Sequence, residues 1–151
     1  MLALAFQIGT DRVAIDVRRI RRVVPRVRLT PAPGGSRRVA GAFVYRGRVV
    51  PVIDLFQLAG AGDCPEHLSS RIILVPYPAG TDGLVGLLAT QVADIRELPD
   101  PPAETTGPSH GLGPPMADGT AVIRILDPDR LLDSIELDPA RFASAPGGTG
   151  S

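Results

Sequence analysis

The sequence predicts a mostly β chain, a small barrel or sandwich of roughly nine or ten short strands with one or two short helices. Short apolar runs recur along its whole length, several alternating with polar residues at a period of two, as a strand with one buried face requires. Between them stand clusters of Gly, Pro and Asp, the punctuation of turns, drawn from 17 glycines and 16 prolines. The length of 151 residues is that of one ordinary domain. A chain of that size buries about two-thirds of its unfolded surface. The hydrophobic fraction of 44% and charged fraction of 21% are those of a globular protein.

Taken in order, "LALAFQI" (Leu2–Ile8) is a β-prone run, and Gly9-Thr10-Asp11 turns it into "RVAIDV", where Val13 and Ile15 share one face. From Val23 to Thr30, Val27 and Leu29 alternate with Arg26 and Arg28, which predicts a half-buried strand with a cationic outer face. Pro25 marks an edge or a break in it. After the loop "PAPGGS" comes "VAGAFVYRGRVVPVIDL", two strands meeting at the Arg46-Gly47 turn. Gly47 supplies the positive φ of a tight turn and leaves Arg46 at the tip with five donors. Gly41 allows another backbone to approach closely, and Pro51 lacks a ladder donor, which suits an edge or a bulge. Val49, Val50, Val52 and Ile53 are too apolar for one buried face, so both sides of this strand are expected to be covered, one of them by a partner.

Asp54 is placed to cap "DLFQLAG", a short helical turn, and residues 59–70 read as loop. "RIILVPY" (Arg71–Tyr77) and "LVGLLA" (Leu84–Ala89) are buried strands joined by the hairpin "PAGTDG", and "VADIREL" (Val92–Leu98) alternates again. Ten of the 21 residues from Pro99 to Gly119 are Pro or Gly, which predicts a long irregular loop. "TAVIRIL" (Thr120–Leu126) is a last core strand. Beyond it Asp127 caps a helix, Pro128 fits its first position, and Leu131, Leu132 and Ile135 form its apolar stripe. Residues 1–142 are expected to form one domain and 143–151 a disordered tail.

Composition excludes several functions. The single cysteine, Cys64, leaves no disulfide framework and no cysteine cluster for zinc. His67 and His110 lie in expected loops without a partner at metal spacing, and the Cys64–His67 pair is no preorganised dyad. "GTDGLVG" opens a strand and lacks the Lys-Ser/Thr ending of a phosphate loop. Asp54 follows a β run without a second carboxylate near it in sequence, so no enzyme, metal or cofactor is expected. The start of the chain shows no basic leader, and no apolar run approaches the roughly 20 residues of a membrane span. A cytoplasmic location is expected.

Charge is lopsided. Residues 1–50 carry eleven Arg against Asp11 and Asp16, a balance of +9, whereas residues 51–151 carry five Arg against fourteen Asp and Glu, a balance of −9; there is no lysine. Either the two halves neutralise each other, or the arginines meet an acidic partner. Nucleic-acid binding is the weaker alternative, because no aromatic residue interleaves with "RRIRR" for base stacking.

The stretch Val39–Leu55 resembles the signature of CheW-like domains, v-x-G-x-x-x-x-R-G-x-x-v-P-v-i-D-L, matched at Val39, Gly41, Arg46, Gly47, Val50, Pro51, Val52, Ile53, Asp54 and Leu55. "FQIGTDRVAIDVRRIRRV" is similar to the family's opening strands, "RIILV…LVGLLATQVADIREL" to its centre, and "HGLG…TAVIRILDPDRLL" to its closing G-x-G, strand and helix. The resemblance implies two small five-stranded SH3-like β-barrels sharing a hydrophobic core. It also implies a non-catalytic adaptor that couples a methyl-accepting chemoreceptor's cytoplasmic tip to a CheA-type histidine kinase, recruited to membrane-associated receptor arrays without inserting into the membrane. Ile20, Arg22, Gly41, Tyr45, Arg46 and Gly47 are the partner-binding residues it points to. Three positions depart from the family: Ala89 stands near a usual aspartate, Tyr45 replaces a usual Leu, and Arg22 replaces a glutamate that can pair with the R-G arginine. Two arginines there would repel, so either the local network is rebuilt or the partner supplies the acid. The F-x-Y-R-G form resembles adaptors of Wsp-type surface-sensing systems, whose kinase controls a diguanylate cyclase. The alternative is a small-molecule-binding or enzymatic barrel using Asp54 and the loop histidines.

Overall fold

In the computed structural model, which describes residues 1–31, 39–62, 64–65, 70–100 and 111–135, β1 (Leu2–Ile8) and β2 (Asp11–Asp16) form an antiparallel hairpin. A 3-10 turn (Val17–Arg19) leads into β3 (Arg22–Pro25). There follow β4 (Val39–Tyr45), β5 (Arg48–Asp54), the single helical turn α1 (Leu55–Leu58), β6 (Arg71–Pro76) and β7 (Leu84–Glu97). The last elements are β8 (Met116–Asp118), β9 (Ala121–Ile125) and α2 (Pro128–Ser134). His67, His110 and the expected tail 143–151 lie outside the described residues.

Two five-stranded barrels share β7. The first runs β3–β6–β7–β5–β4, with β5 parallel to β7 and the other neighbours antiparallel. It closes through Thr30 and Ala42, which exchange two main-chain hydrogen bonds of 2.8 Å. The second runs β7–β1–β2–β9–β8. There the closing contact is made by side chains: Arg96 on β7 donates to Asp118 on β8 at 2.9 and 3.1 Å.

The faces of β1 explain the shared core. Leu4, Phe6 and Ile8 point into the larger apolar cluster with Val52, Ile72, Leu74 and Leu87 of the first barrel. Ala3 and Ala5 point the other way, against Ala14, Leu98, Ile123 and Ile125 inside the second barrel. Burial on both faces demands a nearly continuous apolar run, which "LALAFQI" supplies. Each fully buried large side chain, such as Phe6 or Leu87, contributes about 1.5–3 kcal/mol. The same holds for β5, where Val50, Val52 and Ile53 are all buried by the chain itself, while Val49 is half-buried and Val44 opposite it is exposed.

Three local expectations are corrected. The strand expected over Val23–Thr30 ends at Pro25; beyond it only Thr30 bridges to a neighbour, and Val27 is exposed. The separate strands expected before and after Thr90 are one strand, β7, interrupted by Gln91 at φ +51° and a register shift against Ala5–Gln7 of β1. A bulge of this kind bends a strand without ending it, letting β7 serve both barrels. Inside the expected irregular loop, Met116–Asp118 forms β8. By contrast, Asp127 caps α2 as expected, accepting from the N–H groups of Asp129 and Arg130 (3.0 and 3.4 Å), with Pro128 in the first turn and Leu131 and Leu132 buried.

Candidate functional site

The β4–β5 hairpin turns on two residues, Arg46 at φ +51° and Gly47 at φ +79°. Positive φ at both central positions is the type I′ arrangement, whose twist matches that of the flanking strands. Glycine fits there without cost, but arginine does not, because its Cβ crowds the carbonyl in the left-handed region. Arg46 is exposed, and its guanidinium carbon lies 5.3 Å from the centre of the Tyr45 ring. Tyr45 is itself packed edge-to-face on Phe43, with centroids 6.4 Å apart at 64°. The half-buried aromatic pair thus supports the arginine at the tip.

Gly41 is buried, and its place in β4 is a close approach. A Cβ there would stand 2.7 Å from the Thr30 carbonyl oxygen and 2.8 Å from the Leu29 Cβ. The glycine therefore serves the closure of the first barrel.

Strand directions gather the remaining residues. β3 begins at Arg22, opposite Leu74; β6 runs antiparallel to it, and β7 starts and β4 ends at the same end of the barrel. Arg22 and the Arg46 tip therefore share one end of the first barrel, with Arg21 and Arg48 beside them in sequence. All four arginines are exposed, and none pairs with a carboxylate among the described residues. Asp82, an exposed acid in the β6–β7 turn, lies at that end. Ile20 is half-buried against the main core, and the next amide, Arg21 N–H, donates to the Leu74 carbonyl at 2.7 Å.

Asp54 performs a different task. One carboxylate oxygen accepts the Phe56 N–H at 2.9 Å and the other the Cys64 N–H at 2.8 Å. Arg26, expected on an outer face, instead turns back and donates to the carbonyls of Cys64 and Pro65 at 3.1 and 2.9 Å. Burial, with the Asp54 charge in second place, pushes the Cys64 thiol up to about 11. A cleft of about 880 Å³ borders these residues. With one oxygen holding the Phe56 N–H and the other the Cys64 N–H, Asp54 caps α1 and anchors the Cys64 backbone.

Sequence reasoning missed one set of contacts, made by the acids of α2. Arg19 reaches Asp127 and Asp129, and Tyr77 donates to Asp133. Arg19 and Asp129 stand 110 positions apart, so no local signal announces the pair.

The family description that matches this chain is "CheW-like domain", over residues 2–136. The chain is 27% identical to Chemotaxis protein CheW of Thermotoga maritima, with 87% of each chain covered. To Protein FrzA of Myxococcus xanthus it is 30% identical, covering 85% of this chain and 83% of the relative. Its fold is similar to that of the scaffolding protein TtCheW from Thermoanaerobacter tengcongensis, with a TM-score of 0.74 at 24% identity, covering 87% and 86% of the two chains. A motif matched at the β4–β5 hairpin, two barrels joined through β7, and relatives spanning most of the length agree: this chain belongs to the CheW-like domain family.

Proposed function

We propose that the chain is a non-catalytic adaptor that couples chemoreceptors to a CheA-type histidine kinase, using the arginine-rich end of its first barrel. Ile20, Arg22, Gly41, Tyr45, Arg46 and Gly47 form or shape the partner surface, and residues 1–142 act as one unit. Family membership supports the kind of partner, as do relatives named for chemotaxis and a fold neighbour titled a scaffolding protein. The observation that carries the site is Arg46, an arginine kept in a left-handed turn position, exposed and not ion-paired among the described residues. An acidic patch on the receptor or kinase supplies the missing counter-charge. The adaptor acts by binding one arrangement of kinase and receptor better than another, which shifts the kinase between its states. It works in the cytoplasm at receptor arrays; among the described residues no helix is long and apolar enough to cross a membrane.

The test is binding to the kinase and the receptor tip encoded with it, measured for wild type, Arg46→Ala and Arg46→Glu. Affinity should fall about tenfold for alanine and further for glutamate, with the difference shrinking as salt is raised. Wild type that binds neither protein would sink the adaptor reading.

A further inference from the structure

The acids of α2 hold the segment that leads into the partner surface. Arg19 ends the 3-10 turn and directly precedes Ile20. Its guanidinium donates to Asp129 and stands 3.8 Å from Asp127. Arg19 donates to one oxygen of Asp129, and the other, Oδ1, is buried without a hydrogen bond among the described residues. Tyr77, the residue directly after β6, is buried and donates its hydroxyl to Asp133 at 2.5 Å. Burial first, and the Asp133 hydrogen bond second, push the tyrosine hydroxyl up to about 12, so it remains the donor.

These contacts tie α2 to the connection between β2 and β3 and to the chain just after β6. Arg19 belongs to the connection between β2 of the second barrel and β3 of the first, and Tyr77 lies where β6 leaves the first barrel. Leu131 and Leu132, on the same helix, enter the core common to both barrels. Gly111 lets the helix start sit tightly: a Cβ there would meet the Asp127 oxygen and the Leu131 nitrogen at 2.8 Å.

We infer that α2 is an acidic brace across the barrel junction, and that Arg19, Tyr77, Asp129 and Asp133 are positioning residues that set the Ile20–Arg22 segment for its partner. The inference rests on the adaptor reading for the word partner, but the brace itself does not. Arg19 does not touch the partner; it fixes the direction in which the chain leaves the 3-10 turn, and so where Ile20 packs and Arg22 begins β3.

The first arm of the test uses the free, full-length chain. Hydrogen exchange at the Ile20 and Arg21 amides should speed up about tenfold in Arg19→Ala and in Asp129→Asn, because a charge-assisted hydrogen bond of ordinary strength is lost. Exchange at the β7 amides should be unchanged, and Arg19→Lys should restore part of the protection. The second arm measures binding to the kinase and receptor tip. Arg19→Ala should weaken it about tenfold in the wild-type background and add little to Arg22→Ala, as expected when one residue acts through the other. Unchanged exchange at Arg21, or acceleration spread evenly over the chain, overturns the brace. Full additivity of Arg19→Ala and Arg22→Ala overturns the positioning role. If wild type binds neither partner, the adaptor reading fails and the exchange arm still decides the brace.

Discussion

Replacing Arg46 by asparagine separates the conformational cost of the hairpin tip from its use. Arg46 sits at φ +51° in the first central position of a two-residue turn, where asparagine followed by glycine is the preferred pair. A residue with an ordinary side chain pays about 1 kcal/mol for that region, most of which asparagine relieves. Against this stands the contact with Tyr45 at 5.3 Å, an exposed cation–aromatic pair contributing about 0.5 kcal/mol. The net expectation is a gain of about 0.5 kcal/mol, or a rise in Tm of roughly 1–2 °C for a chain of this length. Binding should move the other way, falling about tenfold with loss of the guanidinium. Urea unfolding and thermal melting, read beside titration calorimetry with the kinase, give both numbers. A loss of more than about 1 kcal/mol would show that Arg46 is needed for the fold. Unchanged binding would show that the strained position serves no partner.

Other perturbations read the interior. Gly41→Ala drives a Cβ into the Thr30 carbonyl and the Leu29 side chain and should cost about 2–3 kcal/mol in urea unfolding; a neutral result would mean that Thr30 can leave β4 freely. Asp54→Ala removes the α1 cap and strands the Cys64 N–H, for a cost of about 2 kcal/mol, whereas Asp54→Asn keeps one acceptor and should lose less. At pH 8 the folded chain should label at Cys64 about 100-fold more slowly than the unfolded one, since its thiol is raised from 9.0 to about 11; fast labelling would mean that the Cys64 loop opens readily.

The parts of the fold that could be read from sequence are those fixed within a few residues. The Arg46-Gly47 turn, the Asp54 and Asp127 caps and the apolar faces of β1 and β9 each depend on neighbours in the chain. What sequence could not give depends on partners far along it. Gln91 looks like the end of a strand, and only pairing with β1 on one side and β6 on the other shows that β7 continues through it. Met116–Asp118 is hidden among prolines and glycines because three residues carry no period; β9 alone makes them a strand. Arg26 and Arg28 alternate as if on one cationic face, yet Arg26 is drawn to two loop carbonyls and Arg28 is left in solvent. The candidate surface divides in the same way: Arg46 was legible from its turn, but its sharing one barrel end with Arg22 follows only from strand order.

The opposed charges of the two halves resolve into two populations. Some pairs do cross between halves: Arg12 with Asp118, and Arg19 with Asp127 and Asp129. These sit at the second barrel's closure and at the α2 brace, where they fix geometry. Arg18 is used locally by Asp16, and Arg26 by main-chain oxygens. Arg21, Arg22, Arg28, Arg46 and Arg48 remain exposed on the first barrel, without a carboxylate among the described residues. Mutual neutralisation therefore accounts for the seam and leaves the excess on the first barrel, much of it at the end where the hairpin tip stands. Like charges held together weaken the free fold slightly through their repulsion, and they strengthen association with any surface of opposite sign. Evenly matched halves would give an adaptor whose binding ignores salt; this distribution calls for binding that weakens steadily as salt is added, with a slope that Arg22→Ala and Arg46→Ala each reduce.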